Sequence, residues 1–324
     1  MTTAVVAPGS VTRFQQLISR NQAALSTRRK FVNVVMLTIT GLLTLLALVP
    51  LFWIVGYVLY KGSTSINLAF FTQLPRPFGV EGGGVRNAIE GTIVISALAC
   101  LLAIPPGVLA AFYAARFPNT PLGVALRFST DVLSGVPSIV IGLFVFVIVV
   151  EPQGHFSGLA GGIAMALLML PTIIRTTEEM LKLVPQTLRE ASLAVGAPEW
   201  KTSLNVVFPA ALNGIITGFL LAISRAAGET APLLFTALGN ERYDLASIFN
   251  NGIAQKQNIF QILGRVLDQP ADSLPLTLWK NAQQPYPERI AQSWAAALVL
   301  MILVLLINIL ARLWVEARKR ALQG

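Results

Sequence analysis

Long uncharged, mostly apolar segments alternate with charged segments along this chain. Six of these uncharged segments are near or above the ~20 residues that a helix needs to cross the hydrocarbon core of a membrane. They cover residues 31–60, 91–115, 132–150, 152–174, 202–224 and 290–311. Because unpaired backbone groups cannot be left in lipid, segments of this length must be helical. The pattern therefore predicts an all-α polytopic membrane protein with six transmembrane helices.

The basic residues between these segments predict how the chain is oriented. Fifteen of them fall before the first helix, between the second and third, between the fourth and fifth, or after the sixth. Eight fall on the opposite side, most of them in one long segment that contributes little to orientation. Since short basic loops stay on the cytoplasmic side, both termini are predicted to be cytoplasmic.

Composition agrees with a membrane protein and removes several classes of function. Hydrophobic residues make up 54% of the 324 positions and charged residues 12%, with a mean hydropathy of +0.68. The single cysteine, Cys100, excludes a disulfide framework, and a lone histidine, His155, makes a transition-metal site improbable. The net charge of +9 is spread over the flanks of the predicted helices, which argues against nucleic acid as the partner.

The segments outside the predicted helices complete the organisation of the chain. We expect a basic, mobile cytoplasmic tail over 1–30, the first transmembrane helix over 31–60 and an irregular external loop over 61–89. A core with five transmembrane helices follows over 90–316, and a short cytoplasmic tail over 317–324 ends the chain. The core contains a cytoplasmic loop over 176–209 and an ordered, polar external lobe over 240–290.

The cytoplasmic loop has the composition of two short helices that lie along the membrane surface, over Glu178 to Leu188 and Glu190 to Leu204. Pro185 and the run Gly196-Ala197-Pro198 interrupt them. On the second helix an apolar stripe forms at helical spacing, from Leu188, Ala191, Ala194 and Val195. Such a stripe either packs on its own membrane domain or inserts into a groove of a partner. The spacing alone favours packing on its own domain.

A motif in this loop reverses that preference. Glu190-Ala191-Ser192, three residues, Gly196, nine residues, Val206, one residue and Phe208-Pro209 resembles the EAA loop of ABC importer permeases. Ser192, Val206 and Phe208 depart from the usual alanine, isoleucine and leucine, but each change is conservative. The resemblance implies that the loop docks into ATP-hydrolysing subunits, and that the fold is that of a type I, MetI-like importer permease.

A second resemblance concerns the substrate. The segment from Ser224 to Ala237 is similar to the fifth-helix signature of PstA-type permeases of phosphate ABC importers, and Arg86-Asn87-Ala88-Ile89 and the segment from Leu133 to Val140 also match. The resemblance implies an inner-membrane subunit that imports phosphate and catalyses nothing itself. The implied partners are a PstC-like second permease, two ATP-binding subunits that use ATP and Mg, and an external phosphate-binding protein. No cofactor is expected on this chain.

Arg225 and Glu229 are the leading candidates for the substrate pathway. An ionisable residue inside a membrane helix costs about 2.5 to 3.5 kcal/mol near the centre on insertion scales, and so it calls for a reason. At positions i and i+4 the two side chains could simply pair with each other. Alternatively, Arg225 offers its donors to a crossing anion while Glu229 keeps binding weak. We favour the pathway hypothesis.

Three hydroxyl or amide residues are weaker candidates for this pathway. Thr230 and Ser134 lie inside the motifs that match the phosphate permeases, although such hydroxyls often bond to carbonyls of their own helix. Asn87 faces an external vestibule or caps the second helix.

Other functions remain open on the residues alone. A permease for another oxyanion, such as sulfate or molybdate, would use the same chemistry, and a proton-coupled secondary carrier could use Glu229 as its protonation site. A membrane-embedded enzyme is disfavoured because no nucleophile, base and metal occur in a recognisable arrangement.

Overall fold

The computed structural model describes residues 8–77, 79–80 and 82–323, and the side chains of 28–314, 316 and 317 within those ranges. Every regular element in this described part is helical. The helices, in chain order, are α1 Pro8–Ser63, α2 Leu68–Thr72, α3 Arg86–Arg116, α4 Pro121–Gly135, α5 Ser138–Val145, α6 Glu151–Gln153, α7 Gly158–Lys182, α8 Gln186–Ala194, α9 Glu199–Thr202, α10 Phe208–Ala227, α11 Ala231–Thr236, α12 Leu245–Ala254, α13 Ile259–Asp268, α14 Leu274–Ala282 and α15 Pro287–Gln323. Two π-helical turns, Phe146–Val150 and Ser203–Val207, join α5 to α6 and α9 to α10. The all-α prediction is confirmed.

The chain divides into two compact units, one that ends at Tyr57 and one that begins at Val58. α1 begins at Pro8 and ends at Ser63, beyond the boundary at Tyr57, and its apolar part covers Arg28–Ser63. The described part of the tail predicted over 1–30 is therefore helical from Pro8, and its mobility stays a prediction. Its alanine, leucine, glutamine and arginine residues all favour helix, which explains the helical conformation.

Four further helices in the second unit are long and apolar enough to cross a membrane. They are Arg86–Arg116, Gly158–Lys182, Glu199–Ala227 and Pro287–Trp314. Each overlaps one of the predicted segments, although the helix predicted over 152–174 begins and ends several residues later, at Gly158 and Lys182. With α1, the described residues contain five candidate spans, or six if one bent pair of helices counts as a span.

The bent pair replaces the straight helix predicted over 132–150. It joins Pro121–Gly135 to Ser138–Gln153 at an angle of 105°. Pro137 cannot donate a backbone hydrogen bond, and the preceding Val136 is extended, with φ −74° and ψ 128°. The apolar segment is thus where it was predicted, but it is broken near its start.

α7 lies at the centre of the second unit. In its apolar window 67% of the residues are buried, against 22% in α3. Small residues allow α3 and α7 to approach closely: a Cβ on Gly162 would lie 2.4 Å from Leu98 Cδ2, and one on Gly107 would lie 2.8 Å from Ile173 Cγ2. The core therefore forms along α7, with α3 and α10 packed against it.

The segment over 240–290 is largely helical, and its position outside the membrane stays a prediction. It contains α12, α13 and α14, and its residues Tyr243, Leu274 and Leu276 are fully buried. The Tyr243 hydroxyl donates to the carbonyl oxygen of Val266 at 3.2 Å, which joins the start of the lobe to α13.

Candidate translocation site

A break in the helix places the two strongest sequence candidates. α10 ends at Ala227, and α11 begins at Ala231 with Pro232 in its first turn. Gly228 caps α10 by donating to carbonyl oxygens of its last turn, and Pro232 cannot continue the helical hydrogen bonds. Irregular backbone within a membrane is tolerated only where protein buries it or where it lines a water-filled cavity.

Arg225 lies in the last turn of α10, and Glu229 lies in the break beyond it. The Arg225 side chain is 57% exposed and that of Glu229 is 23% exposed, with Nε and Oε1 3.7 Å apart. The i to i+4 contact predicted from the sequence is present. The two residues do not, however, share one continuous helix, since the helix ends between them. A cation at a helix C-terminus is also favoured by the helix dipole.

A second broken element meets the first at this site. A Cβ on Gly142 of α5 would lie 2.6 Å from Pro232 Cα of α11, so the two short helices are in close contact. α5 follows the 105° bend, and α11 follows the break after α10. The helices that follow the two breaks therefore pack against each other, and Pro232 is three residues after Glu229 in the sequence.

The weaker hydroxyl candidates lie at the edges of these breaks. Ser134 is exposed near the end of α4, and its hydroxyl donates to its own helix at Thr130 O, 2.8 Å away. Thr230 is half-buried, occupies the N-cap position of α11 and makes no side-chain cap hydrogen bond. Thr230 follows Glu229 directly in the break. The structure thus places Arg225 and Glu229 in contact, and Thr230 is next to them in the sequence.

Asn87 lies in a buried polar network and not in an open vestibule. Its side chain has no exposed surface, and its amide nitrogen donates to Asn240 O at 3.1 Å and Asp272 Oδ2 at 3.0 Å. Asp272 is also buried, with Lys280 Nζ 3.7 Å from its carboxylate. Burial raises the pKa of the Asp272 carboxyl group. These contacts tie the start of α3 to the lobe over 240–290, and the pathway role of Asn87 stays a prediction.

Arg86 and Glu90 make a second connection to the lobe that sequence reasoning did not identify. The Arg86 guanidinium binds Glu90 at 2.8 Å and also pairs with Asp244, while Glu90 Oε2 accepts from the Leu245 amide at 2.8 Å. Partial burial acts to raise the pKa of Asp244, but hydrogen bonds from Ser247 and the charge of Arg86 outweigh it and lower that pKa. The i to i+4 spacing of Arg86 and Glu90 was the available signal.

The residues of the EAA-like motif lie mostly on the surface. Glu190 and Ala191 of α8 are exposed, and α8 contains no buried residue. The apolar side chains Leu188 and Val195 are 45% and 84% exposed. The apolar stripe is thus not packed on its own domain, contrary to what spacing alone favoured. The first of the two helices predicted in this loop is also corrected, because Glu178 to Lys182 belong to α7.

The remaining motif residues connect α8 to the membrane helices. The Ser192 hydroxyl lies 2.9 Å from that of Thr202, and Gly196 has a φ of +84°, a left-handed conformation that favours glycine. Val206 lies in the π-helical turn before α10. Phe208 opens α10 with its ring centroid 5.6 Å from that of Phe112, and Pro209 follows in the first turn, where its missing N–H costs nothing.

Comparison with known proteins defines the class. The family described as binding-protein-dependent transport system inner membrane component matches residues 107–320. Two solved structures, described as inward-facing conformations of the MetNI methionine ABC transporter, match with TM-scores of 0.50 and 0.51 at 19% and 20% identity. Each match covers 72% of this chain and 94% of the other. The chain has the MetI-type ABC permease fold, and is a multi-span inner-membrane transport component that works with partner subunits.

Closer relatives define the family within that class. The chain is 41% identical to the phosphate transport system permease protein PstA of Yersinia pestis, over 90% of this chain and 92% of the relative. It is 39% identical to that of Xylella fastidiosa, over 88% and 93%, and 36% identical to PstA 1 of Mycobacterium tuberculosis, over 92% and 92%. The chain belongs to the family of PstA phosphate transport system permease proteins.

Proposed function

We propose that this chain is the transmembrane permease subunit of an ATP-driven importer of inorganic phosphate, and that it forms half of the translocation path. The observation that carries the proposal is the exposed guanidinium of Arg225 at a helix break, within a chain of the PstA family. An exposed, permanently charged group among apolar helices needs a counter-charge or a ligand, and a crossing anion supplies it.

Arg225 binds the phosphate as it crosses. Its guanidinium offers donors in a fixed fork that matches two oxygens of a phosphate group. Glu229 lies 3.7 Å away, beyond hydrogen-bond distance, and so balances the charge of Arg225 without occupying its donors. Binding is then weak enough for release. Thr230, next to Glu229 in the break, and Ser134 on α4 contribute hydroxyl groups.

Coupling to ATP hydrolysis occurs through α8. The exposed stripe with Leu188 and Val195 inserts into a groove of an ATP-binding subunit, and Glu190, Ala191 and Gly196 shape the contact. The hydrogen bond between Ser192 and Thr202 then carries the displacement of α8 to α9, and the contact of Phe208 with Phe112 carries a displacement of α10 to α3. ATP and Mg are bound by the partner subunits, and this chain binds no cofactor and catalyses no reaction.

In the proposed assembly this chain contacts three kinds of partner protein and the surrounding lipid. A PstC-like permease completes the path, two ATP-binding subunits dock under the loop over 176–209, and lipid surrounds the helices. An external phosphate-binding protein rests on the loop over 61–89 and the lobe over 240–290. In this arrangement both termini face the cytoplasm, in agreement with the basic residues of the flanks.

The test is phosphate-dependent ATP hydrolysis and uptake by the whole importer in liposomes. Arg225→Ala and Arg225→Lys should each lower phosphate uptake about ten-fold or more, because a lysine cannot reproduce the bidentate fork. Arg28→Ala, which removes an exposed basic residue outside the path, the coupling loop and the two segments that contact the phosphate-binding protein, is the control. The complex should still assemble in each case. Glu190→Arg should abolish the stimulation of ATP hydrolysis by phosphate.

Three outcomes would contradict the proposal. Normal uptake in both Arg225 variants would remove Arg225 from the path. Uptake that sulfate or molybdate competes away at equal concentration would assign another oxyanion as substrate. Phosphate transport by the chain alone, independent of ATP and sensitive to proton uncouplers, would assign a secondary carrier.

A further inference from the structure

A groove runs along the second unit between α7, α10 and α15. Its volume is about 530 Å³. The polar residues on its walls are Thr176 and Glu179 of α7, Thr217 and Ser224 of α10, and Asn308 and Arg312 of α15. All three helices are candidate membrane spans, so these polar side chains line a groove between helices that are otherwise apolar. Polar and ionisable groups in such a place are costly and mark ion or substrate pathways.

The groove leads to Arg225. Thr217, Leu221 and Arg225 follow one another at intervals of four residues on α10, and all three are exposed. They therefore form one stripe on a single face of the helix. Thr217 and Leu221 line the groove, and Arg225 lies one turn further toward the break. From Thr217 to Arg225 the stripe extends about 12 Å along the helix axis.

Asn308 lies on the wall of the groove that α15 forms. Its amide nitrogen donates to the Ser224 hydroxyl at 2.8 Å and to Val304 O at 2.7 Å. The Ser224 hydroxyl accepts the first of these bonds, which leaves its own proton for an acceptor in the groove. An oxyanion that leaves Arg225 therefore meets the hydroxyl donor of Ser224, the neighbouring residue in the sequence.

The charges at the far end of the groove nearly cancel. Glu179 is paired with Arg175 at 3.2 Å, and Arg175 also binds Asp131 at 2.7 Å. Arg312 adds the second positive charge, one helical turn beyond Asn308. Two acids and two bases at this end allow an anion to be attracted by Arg312 without being held there.

We propose that this groove is the inner part of the anion path, in which Ser224, Asn308 and Arg312 receive phosphate from Arg225. The inference rests on the proposed function, since the anion is taken to be phosphate. It adds Ser224 of α10 and two residues of α15 to a path that the sequence motifs placed only at the helix breaks. Ser224 and Asn308 act by hydrogen bonding, and Arg312 by its charge at the inner end.

The first experiment tests whether the groove holds water and anion. In a Cys100→Ala background of the complete importer, Thr217→Cys should react with a negatively charged methanethiosulfonate reagent, and saturating phosphate should slow the reaction. The matched control is Leu310→Cys. Leu310 is exposed, as Thr217 is, but it lies on α15 outside the groove, so its cysteine should not react. Equal reactivity of the two cysteines, or no protection of Thr217→Cys by phosphate, would overturn the inference.

The second experiment tests the polar residues themselves. Asn308→Asp, nearly isosteric but negatively charged, should lower phosphate uptake about ten-fold by repelling the anion. Arg312→Gln should slow uptake similarly, and Arg312→Lys should restore most of it because only the charge is needed there. Arg312→Lys thus behaves unlike Arg225→Lys, which stays impaired. Normal uptake in Asn308→Asp and Arg312→Gln would overturn the inference.

The two proposals fail in different ways. If the unmodified importer takes up no phosphate, the proposed function is wrong whatever the groove does. If the importer takes up phosphate and requires Arg225, but the groove variants transport normally and Thr217→Cys is unreactive, only the further inference is wrong. Loss of the assembled complex in Arg312→Gln is controlled by measuring the same variant's co-purification with its partners.

Discussion

Glu178 is a carboxylate buried near the end of α7, and its partners define a structural requirement at the scale of single residues. Its side chain is 6% exposed, with Arg127 Nε at 2.6 Å and Lys182 Nζ at 2.5 Å from Oε1. Arg127 also donates to Ala114 O at 2.8 Å and Pro118 O at 3.2 Å. One guanidinium thus joins the end of α3, the following turn and α7.

We expect Arg127→Ala to lower the free energy of unfolding by about 3 kcal/mol, because a buried carboxylate loses one of its two partners. Arg175→Ala is the matched control. Arg175 binds two acids, Asp131 and Glu179. Because these three side chains are more than half exposed, removal of Arg175 should cost less than about 1 kcal/mol. Thermal unfolding of the purified complexes in detergent measures both. Equal losses of stability would contradict the burial argument.

Asp272 and Asp244 should affect stability with opposite dependences on pH. Because the pKa of Asp272 is raised in the fold, the fold favours the protonated carboxyl group. The resulting stabilisation is fully present below pH 3.8, the ordinary pKa of this group, and is lost as pH rises through the folded-state pKa. Because the pKa of Asp244 is lowered, the fold favours the ionised form, and this stabilisation is present above pH 3.8 and lost as pH falls through the folded-state pKa.

Asp272→Asn should therefore gain stability relative to the unmodified chain as pH rises above 3.8. Asp244→Asn should recover relative stability as pH falls below 3.8. The measurement is the melting temperature of each variant across a pH series in detergent. Slopes of the same sign for the two variants would refute the assigned directions.

At the scale of helices, the sequence predicted where apolar segments lie but not where they break. The length of an uncharged segment reports its ability to cross lipid, and this identified the core of each span. The break after Ala227 and the bend at Val136 depend on single backbone positions, where Gly228, Pro232 and Pro137 prevent continuation. These residues were visible, but prolines also occur inside straight helices here, such as Pro171 of α7. Only packing decides between the two outcomes.

Side-chain partners were still less accessible from sequence. Arg225 and Glu229 were identified because they are ionisable residues inside a predicted membrane helix, and their contact was predictable because they are four residues apart. For Asn87 the sequence left two alternatives, a vestibule or a helix cap, and neither predicted its contact with Asp272, 185 positions further on. No local pattern encodes such a contact.

The close approach of α3 to the backbone at Asp272 predicts the effect of a glycine substitution. A Cβ on Gly91 of α3 would lie 2.0 Å from Asp272 O, and a backbone atom in a buried segment cannot move away cheaply. Gly91→Ala should therefore cost about 1 to 3 kcal/mol by forcing α3 away from the external lobe. Gly135→Ala is the control, because nothing lies within 4 Å of its Cβ position. Thermal unfolding should show a loss for Gly91→Ala alone. An unchanged melting temperature in that variant would contradict the close approach.

At the scale of the whole molecule, the bent pair of α4 to α6 decides the topology. If this pair crosses the membrane, the chain has six spans and both termini lie on one side, as the basic flanks predict. If the pair re-enters on the side it came from, the chain has five spans and the termini lie on opposite sides. The apolar length of the segment is compatible with either.

We expect the pair to cross, and single cysteines in a Cys100→Ala background test this with a membrane-impermeant maleimide. His155→Cys, after the pair, and Gln255→Cys in the external lobe should react in intact spheroplasts. Asn119→Cys, before the pair, and Gln186→Cys in the cytoplasmic loop should react only in inside-out vesicles. Labelling of Asn119→Cys and His155→Cys from the same side would make the pair re-entrant. The lobe and the coupling helix could still face opposite sides in that case, but the two termini would no longer share the cytoplasm.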